Sequence, residues 1–233
     1  GDLAVYHRTV YALHDVCCRD VLKPPHHRIS EMIVDTEACV RKNARRDVPP
    51  VFPPNVEIPS GFNKSQRKAA SNAFFQPISI VQGPPGTGKT GVAAAILQGW
   101  SVLNPGECCS LATSFTNTAV DNIAKGLIDK DCINVFRAGR TDKMSEELWS
   151  YSMACGSEGM QQLRDGDVVC ATALSAMHGV LDRVWPCVLI DEAALATEPA
   201  TLVALCHGAW RVVLVGDHQQ MPPTVSQAGC LVG

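Results

Sequence analysis

Short apolar runs alternate with amphipathic stretches along most of this chain. Ile78, Ile80 and Val81 form the apolar core of a strand over 78–82, and beyond a Gly/Pro loop Ala93, Ile96, Leu97 and Trp100 recur at the three-and-four spacing of one helix face. The same reading predicts a strand over 110–114 with a helix from Asn117, strands over 134–137 and 168–171, a strand over 188–190 with a helix near Glu198, and a strand over 212–215. Such alternation predicts an α/β domain whose mainly parallel sheet carries helices on both faces. In open sheets of this kind, ligands collect beyond the carboxyl ends of the strands.

Upstream the pattern changes. Residues 1–47 hold two helix-like stretches split by Lys23-Pro24-Pro25, and the run DVPPVFPPNVEIPSG at 47–61 holds five prolines. The expected organisation is a helical segment over 1–47, an extended linker over 48–61 and an α/β unit over 62–233. No internal repeat or low-complexity tract interrupts it.

Composition adds limits. A hydrophobic fraction of 46% with 18% charged residues over 233 residues is enough for one large core. No apolar run reaches membrane-spanning length and no secretory leader pattern opens the chain, so no membrane association is expected and the cytoplasm or the nucleus is the expected compartment. The first residue is Gly1 rather than Met, which reads as a piece of a longer protein. Eleven scattered cysteines without a C-x-x-C favour a reducing compartment, and the group His14, Cys17, Cys18, His26 and His27 matches no familiar zinc spacing. A net charge of −3 argues against a globally basic nucleic-acid binder. The basic run Arg41, Lys42, Arg45 and Arg46 suits a solvated helix face as well as a phosphate contact.

The strongest chemical signal lies in SIVQGPPGTGKTGVAAAILQ at 79–98. Its spacing meets GxxxxGK[ST] between a strand and a helix, which makes Gly83, Pro84, Pro85, Gly86, Thr87, Gly88, Lys89 and Thr90 the candidate phosphate loop. Glycines let successive amides turn toward one phosphate, the helix start adds a positive dipole end, Lys89 reaches the β- and γ-phosphates, and the Thr90 hydroxyl ligates Mg²⁺. ATP and Mg²⁺ are the expected ligands. In CVLIDEAALATEP at 187–199, an apolar strand ends in two acids; Asp191 suits the metal and Glu192 the attacking water, although acids at strand ends also cap helices. In VVLVGDHQQMPPTV at 212–225 a glutamine can reach the γ-phosphate region. SFTNTAVDNI at 114–123 sets small hydroxyls and Asn117 at a helix start, a pattern that serves either nucleic-acid phosphate contact or ordinary capping, and Thr172 and Ser175 after DVVCAT share that ambiguity.

In order, these segments resemble superfamily 1 helicases of the nonsense-mediated-decay and senataxin-like group over about residues 61–231. FNKSQRKAA resembles the segment whose glutamine, here Gln66, recognises adenine; TNTAVDNI resembles motif Ia, DVVCAT motif Ic, DEAALATEP motif II, and GDHQQMPPTV motif III with its glutamine at Gln220. The resemblance implies a RecA-like fold and a motor that couples ATP hydrolysis to 5′-to-3′ movement on single-stranded RNA or DNA. Its backbone would touch Asn117, Thr118 and Thr172, and Lys89, Glu192 and Gln220 would carry catalysis. It also implies a second RecA-like domain with arginine fingers, which the sequence to Gly233 does not include, and RNA-decay or RNA-processing proteins as partners. Leu195 stands where the family carries glutamine, and the upstream segment resembles a helical stalk. The isolated chain is therefore expected to turn over ATP weakly. Two other readings are an NTP-switched binding scaffold and a metabolic P-loop kinase, the latter disfavoured by Gln66, Gln220 and the Asp-Glu pair.

Overall fold

A computed structural model describes residues 52–104, 110–129, 133–176, 181, 183–205, 208–220 and 223. The expected helical segment over 1–47, its cysteine and histidine group and its basic run lie outside the described residues, as do Met221 and Pro222 of the motif III loop.

Six strands, β1 (Ile78–Gln82), β2 (Ser110–Ser114), β3 (Val135–Arg137), β4 (Val168–Thr172), β5 (Cys187–Asp191) and β6 (Arg211–Gly216), pair in parallel in the order β1-β6-β5-β2-β4-β3. β2 and β5 are buried along their whole length, which is why β5 reads as a continuous apolar run up to Asp191 and β2 carries only small hydroxyl residues beside Leu111 and Ala112. Among the described residues the α-helices are α1 (Lys64–Phe75), α2 (Lys89–Leu103), α3 (Asn117–Ile128), α4 (Ser157–Asp165) and α5 (Glu198–Leu205). Successive strand residues serve opposite cores. Cys187 and Leu189 face a cluster with Phe74, Ile96, Trp100, Val120 and Leu127 from α1, α2 and α3, while Val188 and Ile190 face one with Phe136, Leu163, Trp185 and Ala204. Helices therefore cover both faces, and the architecture is the α/β domain with a parallel sheet that the alternation predicts, in keeping with the RecA-like fold that the resemblance implies.

The observed strands at 187–191 and 211–216 run longer than the apolar pattern alone indicates, because parallel pairing continues past the apolar residues to Asp191 and Gly216. Between β3 and β4, three 3-10 turns (Thr141–Lys143, Glu146–Tyr151, Met153–Cys155) lead into α4. Leu148 enters one core and Leu163 the other, so this largely polar connection is tied to both faces of the sheet.

Residues 52–61, the described part of the expected linker, are not a free spacer. Phe52, Val56 and Ile58 pack on the α1–α2 core, and Phe52 meets the Phe74 ring edge-on at 6.4 Å. Two turns, closed by bonds from Val56 N to Pro53 O and from Phe62 N to Pro59 O, each at 3.1 Å, shape the segment, and Val56 sits in the groove that Gly99 opens. A Cβ at Gly99 would overlap the Phe74 ring and lie 2.9 Å from Val56 Cγ1. Among the described residues no helix is long and apolar enough to cross a membrane.

Two helix glycines should respond in opposite directions to substitution. Gly99→Val forces apart α1, α2 and the 52–61 segment and should cost about 1–3 kcal/mol. Gly126→Ala in α3, where nothing lies within 4 Å of the new carbon, should add about 0.5–1 kcal/mol through helix propensity. Urea denaturation of the two variants measures both signs.

Candidate functional site

The register of the parallel sheet gathers the polar loops at one edge. Gln82 pairs with Gly216 across β1 and β6, and Ser114 pairs with both Asp191 and Thr172. The loop after β1 thus emerges beside the loop after β6, and Gly83 N donates to Gly216 O at 3.3 Å.

Within the 83–88 loop, Gly86 and Gly88 have φ of 76° and 80°, values open to glycine without cost. Gly88 is the N-cap of α2 and offers no side chain, so the first amides of that helix have no side-chain acceptor. Thr87 Oγ1 donates to Pro84 O at 2.6 Å and closes the loop on itself. Lys89 Nζ donates to Gly83 O at 2.6 Å and Pro84 O at 3.0 Å, so its ammonium is folded over the loop carbonyls. Thr90 follows on the exposed first turn of α2, one residue from that ammonium.

Gln66 reaches the same loop from α1. Its carbonyl accepts from Asn63 N at 2.9 Å, while Asn63 caps Gln66 N in return, a reciprocal box that sets the start of the helix. Its amide nitrogen donates to Thr87 O at 3.0 Å and lies 2.7 Å from where a Gly88 Cβ would be. One side chain therefore caps α1 and grips the loop that precedes α2.

The two acids close β5. Asp191 is 8% exposed, and its Oδ1 accepts from Glu192 N at 2.9 Å. Burial raises its carboxyl above the ordinary value, against the opposing pull of that amide and of Lys89. Burial also raises the Glu192 carboxyl, and the neighbouring Asp191 adds to the shift. Glu192 has φ of 52°, a left-handed conformation that is strained for a residue with a Cβ. That turn breaks the strand direction and starts the 3-10 turn Ala193–Leu195. This turn rests on β6, since a Cβ at Gly216 would lie 3.3 Å from both Ala193 N and Ala194 N. Backbone proximity thus joins the acid loop to the next one, at the place where Leu195 has no polar group to offer.

After β6, Asp217 accepts from Gln219 N at 3.0 Å and from Gln220 Nε2 at 3.1 Å, bonds that hold its carboxyl below the ordinary range. Gln220 is therefore tied to Asp217 in this structure. Gln82 Nε2 lies 2.6 Å from His218 Nδ1, a second link between the loops after β1 and β6.

Further along the edge, Thr116 caps α3 through Ala119 N, which leaves Asn117 and Thr118 on the first turn without a capping duty. Thr118 is exposed, Asn117 is half-buried, and Thr172 Oγ1 lies 2.7 Å from Ser175 Oγ. Asn117 Oδ1 accepts from Arg137 Nη2 at 3.1 Å. Sequence reading does not single out Arg137 or Asp121, because neither the pair nor its burial shows in local spacing.

Among the described residues no group of three or more His, Cys, Asp or Glu side chains could hold a metal ion by itself. The Thr90 hydroxyl and Asp191 carboxylate are hard oxygen donors. They fit Mg²⁺ when phosphate oxygens and water complete its shell, which is how that ion ordinarily sits in nucleotide sites.

The raised Asp191 carboxyl carries a stability consequence. In the window between the ordinary carboxylate value and its raised folded value the folded state binds more protons, so stability falls as pH rises through that window. Asp191→Asn should then raise Tm at neutral pH, with the gain shrinking as pH falls through that window and gone below the ordinary carboxylate value. Thermal melts across the acid range check this.

The AAA_11 family model, described as an AAA domain, matches residues 61–160 and 156–228. Among curated proteins, the chain is 31% identical over 217 residues to the ATP-dependent helicase NAM7 of Saccharomyces cerevisiae, covering 77% of this chain and 22% of that protein. It is 33% identical over 201 residues to Regulator of nonsense transcripts 1 of Caenorhabditis elegans, covering 70% and 18%. A third relative is the DNA replication ATP-dependent helicase/nuclease DNA2 of Xenopus laevis, 29% identical over 217 residues with 86% of this chain and 20% of that protein covered. The chain thus spans about a fifth of the length of these relatives. With a family match over most of its length and a phosphate loop, acid pair and motif III loop at one sheet edge, the chain belongs to the AAA_11 family of AAA domains and is a UPF1-like superfamily 1 helicase domain.

Proposed function

We propose that this chain binds and hydrolyses ATP as the first motor domain of a helicase that moves 5′ to 3′ on single-stranded RNA or DNA. The observation that supports this is the register of β1, β6 and β5, from whose neighbouring ends the 83–90 loop, the Asp191–Glu192 pair and the Asp217–Gln220 turn follow. In this reading the amides from Gly83 to Thr90 and the positive end of α2 hold the phosphates, with Pro84 and Pro85 shaping the approach. Lys89 exchanges the carbonyls of Gly83 and Pro84 for β- and γ-phosphate oxygens. Thr90 and Asp191 hold Mg²⁺, which when bound offsets the phosphate charge. Glu192, made more basic by burial, orients the attacking water and takes its proton. Gln220 leaves Asp217 for the γ-phosphate and reports its presence, while Gln66 reads the adenine edge.

Nucleic acid would cross the same edge over Asn117, Thr118 and Thr172, with backbone contacts that do not read bases. RNA-decay or RNA-processing proteins are the partners that the family suggests. A transition-state arginine supplied by a second RecA-like domain, as the family resemblance implies, is part of this proposal, and such a residue is worth about 10³–10⁵ in rate. A second reading, an ATP-switched scaffold without unwinding, draws support from Leu195.

ATP turnover by this chain with and without oligouridylate, against Lys89→Ala as the blank, is the primary test. Lys89→Ala should weaken ATP binding by about tenfold or more through loss of a charge-assisted bond, and turnover of the unmutated chain should stay near the blank. Strong oligouridylate-stimulated turnover would place the catalytic arginine within this chain. In a longer protein carrying both motor domains, Glu192→Gln should keep ATP affinity within about twofold and lower turnover by 10²-fold or more, as expected for loss of a general base. Full partner recruitment and cellular function by that variant would favour the scaffold.

A further inference from the structure

Arg137 is 0% exposed, at the end of edge strand β3, and its guanidinium is unusually well connected for a residue outside the nucleotide site. Nε donates to Asp121 Oδ1 at 2.7 Å, Nη2 to Asn117 Oδ1 at 3.1 Å, and Nη1 to Ala138 O. Asp121 in turn accepts from Ser145 N at 2.8 Å, and a Cβ at Gly139 would lie 3.0 Å from Nη1, so the 138–145 segment closes over the cation. Asn117 and Asp121 are four residues apart and share one face of α3.

Stability alone gives little reason for this arrangement. Burying an ion pair costs several kcal/mol of desolvation per ion, and packed apolar side chains of similar volume often do as well or better. What an apolar core could not do is choose the direction of the Asn117 amide. A guanidinium only donates, so Asn117 must turn its carbonyl oxygen inward. The amide nitrogen then lies on the other side of the same carbon, away from Arg137, on the first turn of α3 at the carboxyl edge of the sheet.

We propose that Arg137 is a positioning residue for nucleic-acid binding: it locks the Asn117 amide with its NH₂ donors outward, so that the start of α3 presents donors to a backbone phosphate. This rests on the reading that a single strand crosses Asn117, and it adds the reason why the asparagine faces that strand as a donor. Asp121 completes the lock by neutralising the cation, so α3 carries both the contact and the counter-charge.

The test is a double-mutant cycle on the whole chain, read by anisotropy of labelled oligouridylate, with ATP binding and Tm measured in parallel. Asn117→Ala should weaken oligouridylate binding by about tenfold, the scale of one hydrogen bond to a charged group. Arg137→Lys keeps the charge for Asp121 and loses the fork; it should weaken binding as much while ATP affinity holds. The double variant should bind no worse than either single one. Wild-type affinity in Arg137→Lys, or losses that multiply in the double variant, overturns the proposal. Asn117→Asp supplies an independent arm should Arg137→Lys fail to fold: it keeps the acceptor for Arg137, retains Tm, and replaces outward donors with an anionic oxygen. It should bind more weakly than Asn117→Ala, and equal or tighter binding overturns the proposal. If the unmutated chain binds neither oligouridylate nor oligothymidylate, the strand-crossing reading fails and this inference with it; binding by the unmutated chain with an additive cycle defeats this inference alone.

Discussion

Parallel pairing of β1 with β6, and of β6 with β5, decides where each polar group of the nucleotide site lies. All three strands leave the sheet at the same end, so the loops that follow them meet without a long connection. The contact is close: the Gly83 amide bonds to the Gly216 carbonyl, and a Cβ at Gly216 would press on the amides of Ala193 and Ala194. A shift of one residue in β6 would invert the faces of Val213 and Val215 and withdraw Gly216 from both neighbours. Core packing and site assembly are thus the same constraint seen from two ends of the strands.

The site gathers several groups in states that cost free energy. Asp191 is buried beside the partly buried Glu192, both carboxyls are raised, and Glu192 adopts a left-handed backbone whose ordinary cost is about 1–3 kcal/mol. Asp217, directly after the neighbouring strand, is shifted the opposite way by two hydrogen bonds. Adjacent loops therefore carry carboxylates of unlike basicity, a division suited to proton transfer at one and anchoring at the other. By contrast, it is chiefly burial that pushes the Cys170 thiol up to about 12, with Arg137 opposing and Asp121 adding, as expected of a packing residue in the middle of β4.

Lys89, Gln66 and Gln220 share a further property: each is satisfied by a protein partner that a bound nucleotide could replace. Exchange of equivalent hydrogen bonds costs little net energy, so such groups can change partners without disturbing the core. Arg137 is the opposite case. Its bonds are buried under the 138–145 segment, and its effect on the edge is transmitted through a side chain that it holds still.

Local spacing was enough to read the strands, the phosphate loop and the acid pair, because each depends on residues near one another along the chain. The periodicity of Ala93, Ile96, Leu97 and Trp100 and the glycines of 83–88 act over a few residues, and their physics is complete within that window. Tertiary structure alone decided that Gln66 grips Thr87, that residues 52–61 pack into the groove opened by Gly99, and that Gly216 links two loops. It also decided that Arg137 meets Asp121 and Asn117 rather than solvent. Those contacts join elements far apart in sequence, and they depend on register and helix packing, which no local pattern encodes.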